Sequence, residues 1–261
     1  MTYFGQQGRR EAQKLLERNA QDGDRLLGAF NIPMPHWLDF FCYTMFVDRD
    51  GKFQLGMLST SAFKPLAASM GPMLKEEAFH LGTGFNGLRR IIKAGVIPLD
   101  LLQRYINKWV STAHDLFGVD ASSSAHWAYV WGVKGRWDER KKLEAGVEVD
   151  KATLNEESRG HYHQEIVGEV RKLCGYLSED APKLYVPHEN FNRSIGTAKG
   201  QRFNVDGTPF EGSDDDWNAY LQANLPTDQD EIDLKELFKQ EWIANKPMST
   251  RQIESGIGVS A

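Results

Sequence analysis

The sequence predicts a mainly helical protein in which two neighbouring helices bring candidate metal ligands together. Three observations carry that reading. Apolar residues recur at helical spacing or fill whole segments. Prolines open those segments and glycines close them. A carboxylate and an imidazole, Glu77 and His80, stand three apart in "KEEAFHLGTG", where a helix sets both on one face.

The elements follow in order. "GRREAQKLLERNAQDGD" reads as a short polar surface helix that stops at Gly23. Pro33 and Pro35 in "NIPMPHW" mark the next start. From His36 the pattern is apolar on nearly all sides, through Trp37, Leu38, Phe40, Phe41, Tyr43, Met45, Phe46 and Val47, and such a helix demands burial. It is expected to run on to about Ser61, with Gly51 and Gly56 as tolerated weak points. After a turn near Ala62–Phe63, a helix is expected over Lys64–Ala94, with Pro65 near its start and Gly95 at its end. A third spans Pro98 to Gly118, with Leu102, Tyr105, Ile106, Trp109 and Val110 as its stripe. "SSSAHWAYVWGVKGRW" reads as a short helix or a buried loop, 138–157 as a charged surface excursion, and 158–177 as another helix. Beyond Pro182, "YVPHENFNRSIGTAKGQRFNVDGTPFEG" reads as short strands or extended loops. A short helix is expected over Asp233–Asn245 and disorder over the last dozen residues. The organisation is then an N-terminal polar helix and linker (1–35), a helical region with the candidate ligands (36–180) and an irregular C-terminal extension (181–261).

Composition narrows function. The 261 residues are 41% hydrophobic and carry a net charge of −5, which argues against a mainly nucleic-acid-binding role. No run reaches the roughly 18 apolar residues of a membrane helix; Asp39 interrupts the nearest. Two cysteines, Cys42 and Cys174, make no disulfide framework, and a reducing cytoplasm is the expected setting.

Geometry extends the Glu77–His80 pair. Asp48 lies about 15 residues before the hairpin turn and Glu77 about 15 after it, so at about 1.5 Å per residue both stand about 22 Å from the turn. Antiparallel neighbours thus present Asp48 and Glu77 at one height, with His80 a turn further on. A lone carboxylate on one helix and Glu-x-x-His on its neighbour is the pattern of carboxylate-bridged metal sites in four-helix bundles. Carboxylates and imidazole suit non-haem iron or manganese. Phe40, Phe41, Met45, Phe46, Met70 and Met73 would sheathe the site. Plainer readings stand beside this one: Asp48 paired with Arg49 or Lys52, Glu77 as a solvated charge, His80 as a core histidine.

The stretch "WLDFFCYTMFVDRDGKFQLGMLSTSAFKPLAASMGPMLKEEAFHLGTG" resembles the oxygenase component of benzoyl-CoA 2,3-epoxidase, the BoxB family, and more distantly the phenylacetyl-CoA epoxidase catalytic subunit. "LLGAFN", "QRYIN", "DLFG", "KGR" and "VPHENFNRSIG" carry the resemblance over roughly residues 3–245. It implies a ferritin-like di-iron bundle in which Asp48, Glu77 and His80 match three ligands. It also implies dioxygen activation at di-iron, with epoxidation of the aromatic ring of an aryl-CoA thioester, and electrons from a separate flavin and iron–sulfur NADPH reductase. The family subunit is longer. Its first half carries another lone Glu and another Glu-x-x-His, and this chain opens on a segment like the one just after them. The chain is therefore expected to hold half of the bundle helices. The other half-site would come from a separate N-terminal half or a second copy. The alternative is a non-catalytic structural or interaction subunit of the same descent.

Other residues are weighed in turn. Glu157 with His161 and His163 offers no second Glu-x-x-His, and the two histidines read as surface residues. Arg89, Arg90, Lys93, Lys134, Arg136, Arg140, Lys141 and Lys142 could hold coenzyme A phosphates, but read mainly as a solvated face. His114 and His126 read as core histidines. Tyr43 is expected near Asp48, lining a cavity. Ser122–Ser124 and Trp127 are placed in a loop over the site.

Overall fold

A computed structural model describes residues 5–18, 27–135, 139–147 and 153–238. The described residues fall into two compact units, one up to Leu225 and one from Pro226. The helices of the first are α1 (Gly5–Leu16), α2 (Trp37–Cys42), α3 (Asp48–Leu58), α4 (Lys64–Ala94), α5 (Leu99–Leu116), α6 (Ser123–Val130), α7 (Glu139–Glu144), α8 (Leu154–Cys174) and α9 (Asp214–Asn224). The described part of the second is chiefly α10 (Asp228–Phe238). No described helix is long and apolar enough to cross a membrane.

The long apolar segment is helical from Trp37 to Leu58, but not uniformly α. A π turn, Tyr43–Val47, joins α2 to α3. Met45 and Phe46 of this turn, and Cys42 just before it, have no exposure. His36 caps α2, its Nδ1 accepting from the Asp39 N–H at 3.2 Å. The helix α4 runs over the expected residues and stops where Gly95 adopts φ +65°. It packs against α2, the π turn and α3, while α5 lies across the other side of the π turn and α8 covers α3 and α4. Gly84 makes the close approach possible: a Cβ there would sit 2.6 Å from the Met45 nitrogen. Gly51 is no weak point. It leaves room for Glu77, whose Oε1 would lie 3.0 Å from a Cβ at that position.

Several expectations are corrected. The α8 helix begins at Leu154, inside the supposed surface excursion, and buries Leu154, Ser158, Tyr162, Ile166, Val170 and Leu173 as one stripe. Hence His163 is no surface residue. It stacks on fully buried His114, with ring nitrogens 3.2 Å apart. His126 is exposed rather than core. Beyond Pro182, of the short strands or extended loops expected, the loops are found up to residue 213, with an isolated bridge, Phe203 to Pro209, among the described residues. Residues 214–224 form α9, started by a Ser213/Asp216 capping box. The last helix starts at Asp228 rather than Asp233, and the expected stop of the first helix at Gly23 and disorder of the last dozen residues lie outside the described residues.

Burial, then the charges of His163, Arg193, Arg159 and His188, hold the His114 imidazole well below its usual pKa. A histidine depressed in the folded state binds fewer protons than the unfolded chain below about pH 6.5, so stability from this site falls as the pH drops below that point. We expect His114→Phe to lose less thermal stability than the parent between pH 7 and 5.5, as melting curves would register.

Candidate metal centre

Asp48 opens α3 directly after the π turn, and Glu77 and His80 lie one turn apart on α4. The structure brings one ligand atom from each to within 4.8 Å of the others, and they are the sole such group of three among the described residues. The His80 Nδ1 lies 3.8 Å from Asp48 Oδ2 and 3.9 Å from Glu77 Oε2. The carboxylates are largely covered, with side-chain exposures of 24% and 19%, while His80 is 48% exposed. The cluster therefore opens to one side.

Its electrostatics are those of a site lacking a counter-charge. Burial pushes the Asp48 carboxyl up to about 6, against the pull of His80. Glu77 is raised by burial and then by Asp48 beside it. The Glu77 Oε2 atom is buried with no hydrogen-bond partner among the described residues. Arg49 and Lys52, the sequence-adjacent cations, both pair with Glu165 on α8 instead. Burial alone would raise Glu165, but the hydrogen bond and charge of Lys52, then Arg49, hold it low. An orphaned carboxylate oxygen beside a second carboxylate and an imidazole is a donor set of the kind that non-haem iron or manganese takes.

The surroundings differ in part from the expected sheath. Met45, Phe46 and Met70 are buried, but Phe40 is 36% exposed and Met73 43% exposed. Open clefts flank α4. One of about 560 Å³ is lined by Arg49, Lys52, Glu77, Phe85 and Glu165, among others. Another of about 550 Å³ runs over Phe41, Phe79, Gly82 and Arg90. Phe79 beside them is 75% exposed, an unusual state for a phenylalanine. Tyr43 lies close enough to the centre for Asp48 and Glu77 to add to the burial that raises its phenol.

The basic residues scatter. Arg89 and Lys93 lie over the Tyr176 ring, at 5.8 and 4.9 Å. Lys134 is no solvated charge, because its Nζ donates to Gln54 and Asn155, each at 2.9 Å. Near it stands buried Asp50, pushed up to about 8 by burial, a residue sequence reasoning passed over. Lys142 pairs with Glu157, and Lys141 is exposed. Arg136 and the side chain of Arg140 lie outside the described residues. Ser122 caps α6 and Trp127 lies on it, but backbone bonds from Ala62 to Gly132 and from Gly135 to Met57 hold that region to the turn end of the hairpin, away from Asp48, Glu77 and His80.

Comparison with known proteins adds two findings. Residues 2–183 match the model of the family "Phenylacetic acid catabolic protein". Benzoyl-CoA oxygenase component B of Aromatoleum evansii is 35% identical over 280 aligned residues, covering 90% of this chain. The chain spans 59% of that relative's length.

Proposed function

Because the chain belongs to the phenylacetic acid catabolic protein family, we propose that it is part of a di-iron oxygenase that activates dioxygen and places one oxygen atom on the aromatic ring of an aryl-CoA thioester, giving the ring epoxide. The observation that carries this is the cluster of Asp48, Glu77 and His80, with the Glu77 Oε2 left buried and unpartnered. Benzoyl-CoA is the favoured substrate class, since the similar protein is named for it.

Each residue then has a task. Asp48 and Glu77 supply the anionic oxygens that iron binds, and His80 the neutral nitrogen. Iron held there would supply the electrons that reduce dioxygen, replenished by a flavin and iron–sulfur NADPH reductase. The Glu165–Arg49–Lys52 cluster keeps both cations away from Asp48, so its charge remains for the metal. The buried ring of Phe46 and thioethers of Met45 and Met70 exclude water from the inner side. Three ligands leave a di-iron site incomplete. The open face of α4, with Phe79 exposed and a cleft on either side, is where a segment carrying the remaining carboxylates and histidine would dock. That segment is either a separate N-terminal half or a second copy. Cys42 and Cys174 are free thiols, in keeping with a cytoplasmic setting.

Metal content with native mass tests the reading, on the chain alone and after co-expression with its neighbouring genes. Two irons per complex, appearing only with a partner chain, support a split oxygenase. Two irons per homodimer support a symmetric site. A stable complex that holds no metal, and that survives Glu77→Ala and His80→Ala, would overturn the enzyme reading in favour of a structural subunit docked through the same face.

A further inference from the structure

We propose that Tyr43, Trp109 and Asp39 form a one-electron relay from the metal centre into the core, in which Trp109 gives up an electron through Tyr43 and its indole proton to Asp39. The proposal rests on the metal site argued above and adds a use for residues outside it.

Tyr43 begins the π turn that ends beside Asp48, and its carbonyl accepts the Asp48 N–H across that turn, which sets the two residues next to each other. Its ring meets Trp109 of α5 edge to face, centroids 5.2 Å apart at 88°. Trp109 is fully buried, and its Nε1–H donates to Asp39 Oδ1 at 2.8 Å. Asp39 is itself fully buried and also accepts from Lys108 at 2.7 Å. Its second oxygen, Oδ2, has His36 Nε2 3.2 Å away but no well-aligned hydrogen bond. The chain thus holds an oxidisable phenol at the ligands, an oxidisable indole in contact with it, and a proton acceptor already hydrogen-bonded to that indole.

The Lys108 ammonium acts on both the ring and its proton acceptor. The Lys108 ammonium lies 4.6 Å from the centre of the Trp109 ring and disfavours a positive charge on it. A bare indole cation radical is therefore opposed, and a neutral one, its proton on Asp39, is not. Iron bound at the site would serve as the one-electron oxidant: Trp109 would lose one electron across Tyr43, which keeps its own proton and acts only as the bridge, and the Nε1 proton would pass to Asp39, leaving a neutral indole radical and a carboxylic acid. A later electron from the reductase, with the proton returned from Asp39 to Nε1, restores the resting state. Such a relay draws oxidising equivalents away from His80 and the carboxylates when no substrate is there to consume them.

The test needs no iron. A ruthenium photosensitiser is coordinated to His80, in a background where the exposed imidazoles are removed by His126→Gln and His161→Gln, and is oxidised by flash and quench. Transient absorption should record a neutral indole radical in the parent, its loss in Trp109→Phe, severalfold slower formation in Tyr43→Phe, and a protonated cation radical in Asp39→Asn. Circular dichroism checks folding of each variant. Tyr43→Phe keeps the ring and decides the matter if Trp109→Phe does not fold. An undiminished indole signal in Trp109→Phe, unchanged kinetics in Tyr43→Phe, or oxidation confined to exposed Trp37 would overturn the relay. Failure of the chain to bind iron would leave this readout intact, so the two readings fail separately.

Discussion

Asp48→Asn is expected to abolish iron retention and yet to raise the stability of the iron-free chain at pH 7 by about 1–2 kcal/mol. Both effects have one cause. The folded chain holds Asp48 and Glu77 side by side, largely covered, with only a half-exposed imidazole near them. Their burial costs free energy that a metal ion would offset. The Asp48 carboxyl, raised to about 6, binds protons more tightly in the folded than in the unfolded state. Its penalty is therefore full above that value and is relieved as the pH falls through it. Solvent that still reaches the group screens the effect to that size. Removing its charge should flatten that part of the stability profile. Iron affinity should fall by more than the about 10–100-fold that loss of a ligand's hydrogen-bonding partner costs. Thermal melts from pH 7.5 to 5 and metal analysis after gel filtration measure both. Wild-type iron content in Asp48→Asn, or a destabilised iron-free variant, would refute the account.

Gly84→Ala is expected to destabilise the chain by about 1–3 kcal/mol or more and to weaken iron binding without touching a ligand. The added methyl would meet the Met45 backbone at 2.6 Å, and backbone cannot turn aside as a side chain can. The helix α4 must then back away from the π turn, carrying Glu77 and His80 from Asp48. Gly82→Ala is the control. A Cβ there meets nothing within 4 Å, so the usual helix preference for alanine should make it neutral or stabilising by up to about 1 kcal/mol. Equal melting temperatures for the two variants would count against the close-approach argument. Denaturant titration resolves differences of that size.

Much of this architecture was legible in the chain. Helix stops were clear because Gly95 and Gly118 take the left-handed conformation that ends helices. The equal heights of Asp48 and Glu77 followed from helical rise alone, and the structure places them together. The capping box at Ser213 was readable too, since serine three residues before aspartate opens α9, but the surrounding turn residues masked it. Other features had no local signal. Nothing in "YTMFV" announces a π turn, because that geometry is settled by α4 and α5 pressing on either side. Glu165 is 113 residues from Lys52, and only tertiary packing joins them. The partial cover of Lys134 and His163 likewise depended on where α8 begins, which the charged residues before it obscured.

The π turn sets a condition on the whole centre. It holds one residue more than a regular helix would use to cover the same path. Sequence changes that let Tyr43–Val47 wind as regular α-helix, with no residue lost, would fuse α2 and α3 into one straight helix and swing Asp48 about 100° around its axis. The carboxylate would then face a different neighbour, and buried Phe53, Leu55 and Met57 beyond it would turn through the same angle. A lineage or a designer straightening this helix would have to repack all of α3. Even then the rod would have lost its aim at the candidate metal site.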